Sequence, residues 1–212
     1  MAKNTKKKQQ AALKKRRKDK ARHKEKTKSL TLPSPRTLVK KAREFPIKDC
    51  WISAGWEDEG SRGLVTVLIA REQPDGNVIF ASYLLDIFCL GLKDTMYNAN
   101  ISASDFRQVM RDVFLHTQPE SCSPELAHQM VYECIDYAAQ FDFKPHRDFK
   151  LGKYVLEPRE SLSAPHKLTF GKGGKPFFIN GPYDNINAIL AKLDKNPGKG
   201  NYEFLLMDGP PL

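Results

Sequence analysis

The chain has 212 residues, a formal net charge of +10, 40% apolar and 10% aromatic residues. No apolar stretch approaches the roughly 20 residues that a helix needs to cross a bilayer, and the N-terminus lacks the apolar stretch of a secretory signal. Four cysteines, Cys50, Cys89, Cys122 and Cys134, form no C-x-x-C pair, which argues against a disulfide scaffold and for reduced, buried thiols. A cytoplasmic protein is expected, or a nuclear one in a eukaryotic host.

The charge is segregated along the chain. Residues 1–29 hold fourteen Lys and Arg against two acids, Asp19 and Glu25, while residues 30–212 sum to −2. Like charge this dense cannot collapse on itself, so a disordered polybasic tail is expected, and its natural partner is a polyanion. Lys6, Lys7, Lys8, Lys14, Lys15, Arg16, Arg17, Lys18, Lys20 and Arg22 are the candidate phosphate contacts. The tail has no aromatic side chain on which to stack a base, so it can hold a backbone but not read a sequence. RNA is favoured over DNA as the nucleic acid. The competing readings are a solubilising tail and a localisation signal around Lys14–Lys18. A membrane partner is not expected, because no apolar or lipidated anchor accompanies the charge.

Residues 30–45 read as a linker through Pro33 and Pro35, with a short helix over Thr37–Phe45 that turns Leu38, Val39 and Ala42 toward the body. Residues 46–212 read as one α+β domain. Asp49–Ala54 is expected as a strand, followed by an acidic loop at Glu57–Gly60. Two runs rich in β-branched and aromatic residues, 64–72 and 78–92, flank Pro74-Asp75-Gly76. Pro presets φ, Asp bonds the turn and Gly accepts positive φ, so the two runs form an antiparallel hairpin. Both strands are apolar on both faces, which places them centrally in a sheet covered on each side.

Two helices follow, one capped by Ser102 or Ser104 and one opening at Ser123-Pro124-Glu125. The second carries Ala127, Met130, Val131, Cys134, Ala138 and Phe141 at core spacing. In the last segment, 167–170 and 176–179 are expected to pair across Gly171-Lys172-Gly173-Gly174. A helix then runs from Asp184 or Asn185 to Leu193, and Tyr202–Met207 forms a final strand. Residues 166–212 are thus expected as a small subunit. The fold class is α+β, a mainly antiparallel sheet with a central hairpin packed by two or more helices.

Three stretches, YLLDIFCLGLKDT (83–95), ELAHQMVYECIDYAAQFDFKPHRDF (125–149) and FGKGGKPFFINGPYDN (170–185), together resemble an uncharacterised bacterial protein family. The resemblance implies a bacterial cytosolic origin and carries over no functional residue.

The chemistry-bearing candidates are few. Asp86 sits in an apolar central strand, where an unpaired carboxylate is expensive. It is a candidate general base or metal ligand in a nuclease-like site, with Asp94 as a second acid. The competing reading has Asp86 bonding backbone donors at a bend near Gly91 or pairing with a nearby Arg. His128 is a third catalytic candidate, as the base of a Cys-His pair. It lies six residues from Cys122 and six from Cys134, but six helical residues rotate about 600°, which turns His128 and Cys134 apart and argues against a shared metal. No metal and no cofactor is expected. His146-Arg147-Asp148 reads as a polar loop. Lys172 and Lys175 are candidate phosphate contacts, although Pro176 follows where a Walker loop needs Ser or Thr. The preferred function is a non-enzymatic nucleic-acid-binding protein, RNA- or ribosome-associated. The alternatives are a metal-dependent nuclease centred on Asp86 and a protein-interaction module whose acidic body has its own protein partner.

Overall fold

The computed structural model describes residues 33–58, 61–161 and 164–207. The ten candidate phosphate contacts of the tail, and its expected disorder, lie outside the described residues.

The predicted hairpin forms the centre of the sheet. β2 is Leu64–Glu72 and β3 is Val78–Asp86, in continuous antiparallel register from Leu64 opposite Asp86 to Glu72 opposite Val78. The Asp75 carboxylate accepts a hydrogen bond from Asn77 N at 3.0 Å, and Gly76 N donates to Gln73 O at 2.9 Å, so the Pro-Asp-Gly chemistry closes the turn as expected. β1, Ile47–Ser53, lies against β2 close to its predicted position. A three-residue β5, Pro119–Ser121, edges β1.

The run 78–92 is not one strand. β3 ends at Asp86, the chain turns through 87–90, and β4, Gly91–Ile101, returns along β3. A carboxylate that bonds its own turn and a glycine at the far end of the turn stop the strand despite the apolar residues between them. The sheet order is β4-β3-β2-β1-β5, antiparallel throughout.

Alternation places one set of side chains on each face. Val65, Val67, Ile69, Ile79, Ala81, Tyr83 and Leu85 pack beneath α3, Pro124–Ala139, against Ala127, Met130, Val131 and Cys134. On the opposite face Leu68, Ala70, Val78 and Phe80 pack beneath α2, Ala103–Val113, through Phe106 and Phe114. Each of these fully buried aliphatic and aromatic side chains contributes about 1.5–3 kcal/mol of transfer free energy. Both helix starts follow the sequence. Ser102 Oγ accepts from Asp105 N and Ser123 Oγ from Leu126 N, each at 3.1 Å, and a cap of this kind stabilises by about 1 kcal/mol. α2 covers one end of its face only, leaving Leu64 and Met96 exposed toward the other.

Residues expected as linker join the body. α1, Pro35–Lys40, and a 3-10 turn, Ala42–Glu44, seat Val39 and Ala42 fully buried. Arg43 Nε donates to Leu156 O at 2.7 Å. Close by, a one-turn helix α4, Phe149–Gly152, packs on Tyr83 and Tyr132 through the Phe149 ring.

The C-terminal segment departs from expectation. β6, Phe177–Ile179, pairs in parallel with β7, Glu203–Leu205, and not with 167–170. The expected hairpin shrinks to a bridge between Lys172 and Lys175, because Gly171 N and Phe177 N are taken by Ile87 O and Phe88 O of the β3–β4 turn. α5, Ile186–Leu193, begins at Asn185, whose Oδ1 accepts from Ala188 N. Phe178 and Leu193 share a buried cluster with Cys89, Ala138, Phe141 and Phe143, so this segment packs on the main body and has no separate core. Among the described residues no helix is long and apolar enough to cross a membrane.

Candidate functional site

The β3–β4 turn ties several elements together. Asp86 Oδ1 accepts from Phe88 N and Cys89 N, both at 3.0 Å. Ile87 N donates to Gly63 O at 2.8 Å, and Phe88 O receives Phe177 N at 3.1 Å and Tyr137 Oη at 3.4 Å. Asp86 itself is buried. Burial pushes its carboxyl up to about 6, against the lowering influence of Lys93 and of the turn's N–H groups. Its Oδ1 serves the turn, as the backbone-donor form of the competing reading expects, and among the described residues no Arg pairs with it. Asp94 is elsewhere, opposite Leu84 on β4, with its carboxylate 62% exposed and 3.3 Å from His146 Nδ1. The two acids do not share a site.

His128 is sealed beneath the sheet, where its Nε2 accepts from Glu157 N at 3.3 Å. Desolvation lowers its pKa to about 4, outweighing the Glu157 carboxylate, so it is a neutral acceptor at physiological pH. The four cysteines are free. Burial pushes Cys50 up to about 12 and Cys122 up to about 11, and raises Cys89 and Cys134 further; thiols held this way are poor nucleophiles. Among the described residues no three His, Cys, Asp or Glu side chains come together as a metal cluster.

Among the described residues, two concavities hold candidate side chains. One, of about 370 Å³, lies where α2 leaves the sheet face open, with Leu84, Asp94, Met96, Val109 and Asp112 on its walls. The larger, of about 580 Å³, opens at the end of the sheet where three loops converge. The β1–β2 loop brings Trp56, Glu57 and Asp58, the β3–β4 turn brings Phe88, and the segment before β6 brings Lys167 and Lys172. A volume in this range is typical of a small-molecule or single-residue recognition site.

The walls of this cavity are positioned by glycines and rings. At Gly63 an added Cβ would lie 2.3 Å from the Phe88 ring, so the ring occupies the space that any side chain would need. Phe88 and Phe177 sit 6.2 Å apart, and Lys172 Nζ lies 4.9 Å above the Phe177 ring, a contact that keeps the ammonium at the surface. Lys172 N donates to Lys175 O at 2.8 Å and Lys175 N to Lys172 O at 3.1 Å. Between them Gly173 and Gly174 have φ of +58° and +78°, the two left-handed positions of a type I′ turn. Their N–H groups meet no acceptor among the described residues.

Of the two lysines expected to act together, only Lys172 lines the cavity. Lys175 Nζ turns to Gly200 O at 3.4 Å. Nothing in the sequence around Trp56, Phe88 or Lys167 marks a site, and Glu57–Gly60 reads there only as an acidic loop. The one sequence cue to the cavity was the glycine-lysine run.

Comparison with protein-family models, curated proteins and solved structures returned no match.

Proposed function

We propose that the protein is a non-enzymatic nucleic-acid-binding protein of the cytoplasm, associated with RNA, in which the basic residues 1–29 supply phosphate contacts to a folded body. The observation that carries this reading is the separation of charge: fourteen basic residues against two acids in the first 29, and a sum of −2 over the remainder. A body of that net charge has no long-range attraction for a polyanion, so the long-range attraction must come from the basic segment. The settings of Asp86 and His128 support a binding role over the nuclease alternative, since one serves a turn and the other is a buried acceptor.

The test is filter binding of single-stranded RNA across a salt series. The chain is compared with a variant in which Lys6, Lys7, Lys8, Lys14, Lys15, Arg16, Arg17 and Lys18 are all changed to Gln. Eight neutralised phosphates give a slope of roughly −6 in log K against log salt for a single strand, and the variant should lose most of it. Equal binding and equal slope for the two proteins would remove the reading.

A further inference from the structure

We infer that the cavity at the loop end of the sheet accepts one unpaired nucleotide, with its base against Trp56 and Phe88 and its phosphate at Lys172. The inference rests on the nucleic-acid reading and adds what that reading lacks, a place on the body where a base is held. Three kinds of group line one space, brought there by the β1–β2 loop, the β3–β4 turn and the segment before β6. The indole of Trp56 and the ring of Phe88 offer π-faces for a planar base. Lys172 and the Gly173 N–H group, which has no acceptor among the described residues, offer cation and dipole to a phosphate. Glu57 and Asp58 offer carboxylates, which accept hydrogen bonds and donate none when ionised.

This mixture selects among ligands. A plain phosphate or a polyphosphate satisfies Lys167 and Lys172 but also meets two carboxylates of its own sign and leaves both rings unused. An apolar ligand leaves all the charges unused. A nucleotide has an anionic end, a flat apolar face and, in adenine, guanine and cytosine, an amino group that donates to a carboxylate on the Watson–Crick edge. Bases with that amino group are therefore preferred over uracil. The basic tail, which has no aromatic residue, delivers the strand, and the cavity samples a base from it.

The chain has two tryptophans, Trp51 and Trp56, so the full-length Trp51→Phe variant reports from Trp56 alone. Titration with AMP, GMP and CMP should quench its emission saturably, with UMP weaker. Lys172→Gln should weaken the three amino-bearing nucleotides about tenfold, the loss of one charge-assisted contact. Eight Lys and Arg to Gln changes in the tail should leave mononucleotide quenching unchanged, because a mononucleotide does not need the tail. Should Trp51→Phe fail to fold, the unsubstituted chain is titrated with an oligonucleotide carrying one 2-aminopurine, whose emission falls on stacking, and Trp56→Ala should remove that fall.

Absence of quenching by any mononucleotide, or indifference to Lys172→Gln, overturns the cavity proposal while leaving tail-dependent RNA binding intact. Mononucleotide quenching with RNA binding that ignores the tail substitutions does the reverse.

Discussion

The Arg71 guanidinium, only 2% exposed, donates to the Glu157 carboxylate at 2.5 Å while its other nitrogens donate to Val155 O and Phe45 O, each at 2.8 Å. One side chain on β2 thus joins the segment after α4 to the segment before β1. Glu157 is partly open to water. Burial alone would push its carboxyl up, but the hydrogen bond and charge of Arg71 hold it below the usual range.

Removing either member should have unequal effects. Arg71→Leu leaves one buried and one half-buried carbonyl without this donor, and the Glu157 carboxylate without its partner, and should cost about 3 kcal/mol in urea unfolding. Glu157→Gln keeps an acceptor for Arg71 and should cost about 1 kcal/mol. Equal costs would mean that the carbonyl contacts contribute nothing.

His128 predicts a pH dependence. The unfolded chain takes up a proton near 6.5, whereas the folded side chain resists until about 4. Its folded pKa is depressed, so the stability it supports is present above pH 6.5 and lost as pH falls toward 4, by up to about 3 kcal/mol. His128→Gln keeps a side-chain acceptor and should flatten this loss in unfolding curves taken between pH 7 and 4. An unchanged pH profile would show that His128 is not sealed as described.

Asp86 has the opposite sign. Its folded pKa is raised from 3.8 to about 6, so the ionised form costs about 3 kcal/mol above pH 6, a cost relieved as pH falls to 3.8. Asn in its place still accepts from Phe88 N and Cys89 N, though without charge assistance. Asp86→Asn should therefore raise Tm at pH 7.5, with the gain vanishing near pH 4, and should leave RNA binding unchanged. Asp86→Ala, which removes the acceptor for both N–H groups, should destabilise by about 2 kcal/mol. A D86N protein less stable than the parent at pH 7.5 would contradict this balance.

Two glycine substitutions separate backbone conformation from space. Gly173→Ala meets no neighbour within 4 Å and carries only the left-handed cost, about 1–2 kcal/mol. Gly63→Ala carries that cost and also drives Cβ into the Phe88 ring. It should destabilise more and should weaken mononucleotide quenching, because Phe88 has to move. Thermal melts and the Trp56 titration read the two effects.

Local chemistry made the central hairpin and both long helices legible. Pro74-Asp75-Gly76, Ser102 and Ser123-Pro124 act within a few residues of themselves, and each does in the fold what its side chain dictates. β4 was hidden because its apolar start runs on from β3. Only the bonding of Asp86 to its own turn, a three-dimensional fact, divides the run. The parallel β6–β7 pair was invisible for a related reason, since its partners stand 26 residues apart in register. The cavity was the least legible feature. Trp56, Phe88 and Lys172 are ordinary residues in three unconnected loops, and only the sheet end brings them together.

The turn after β3 receives or gives hydrogen bonds to the start of β2, to α3, to Gly171 and to β6. Melting any one of these elements strips partners from the rest. Heat should consequently take the body apart in a single cooperative step, and hydrogen exchange in residues 166–207 should keep pace with that of the sheet.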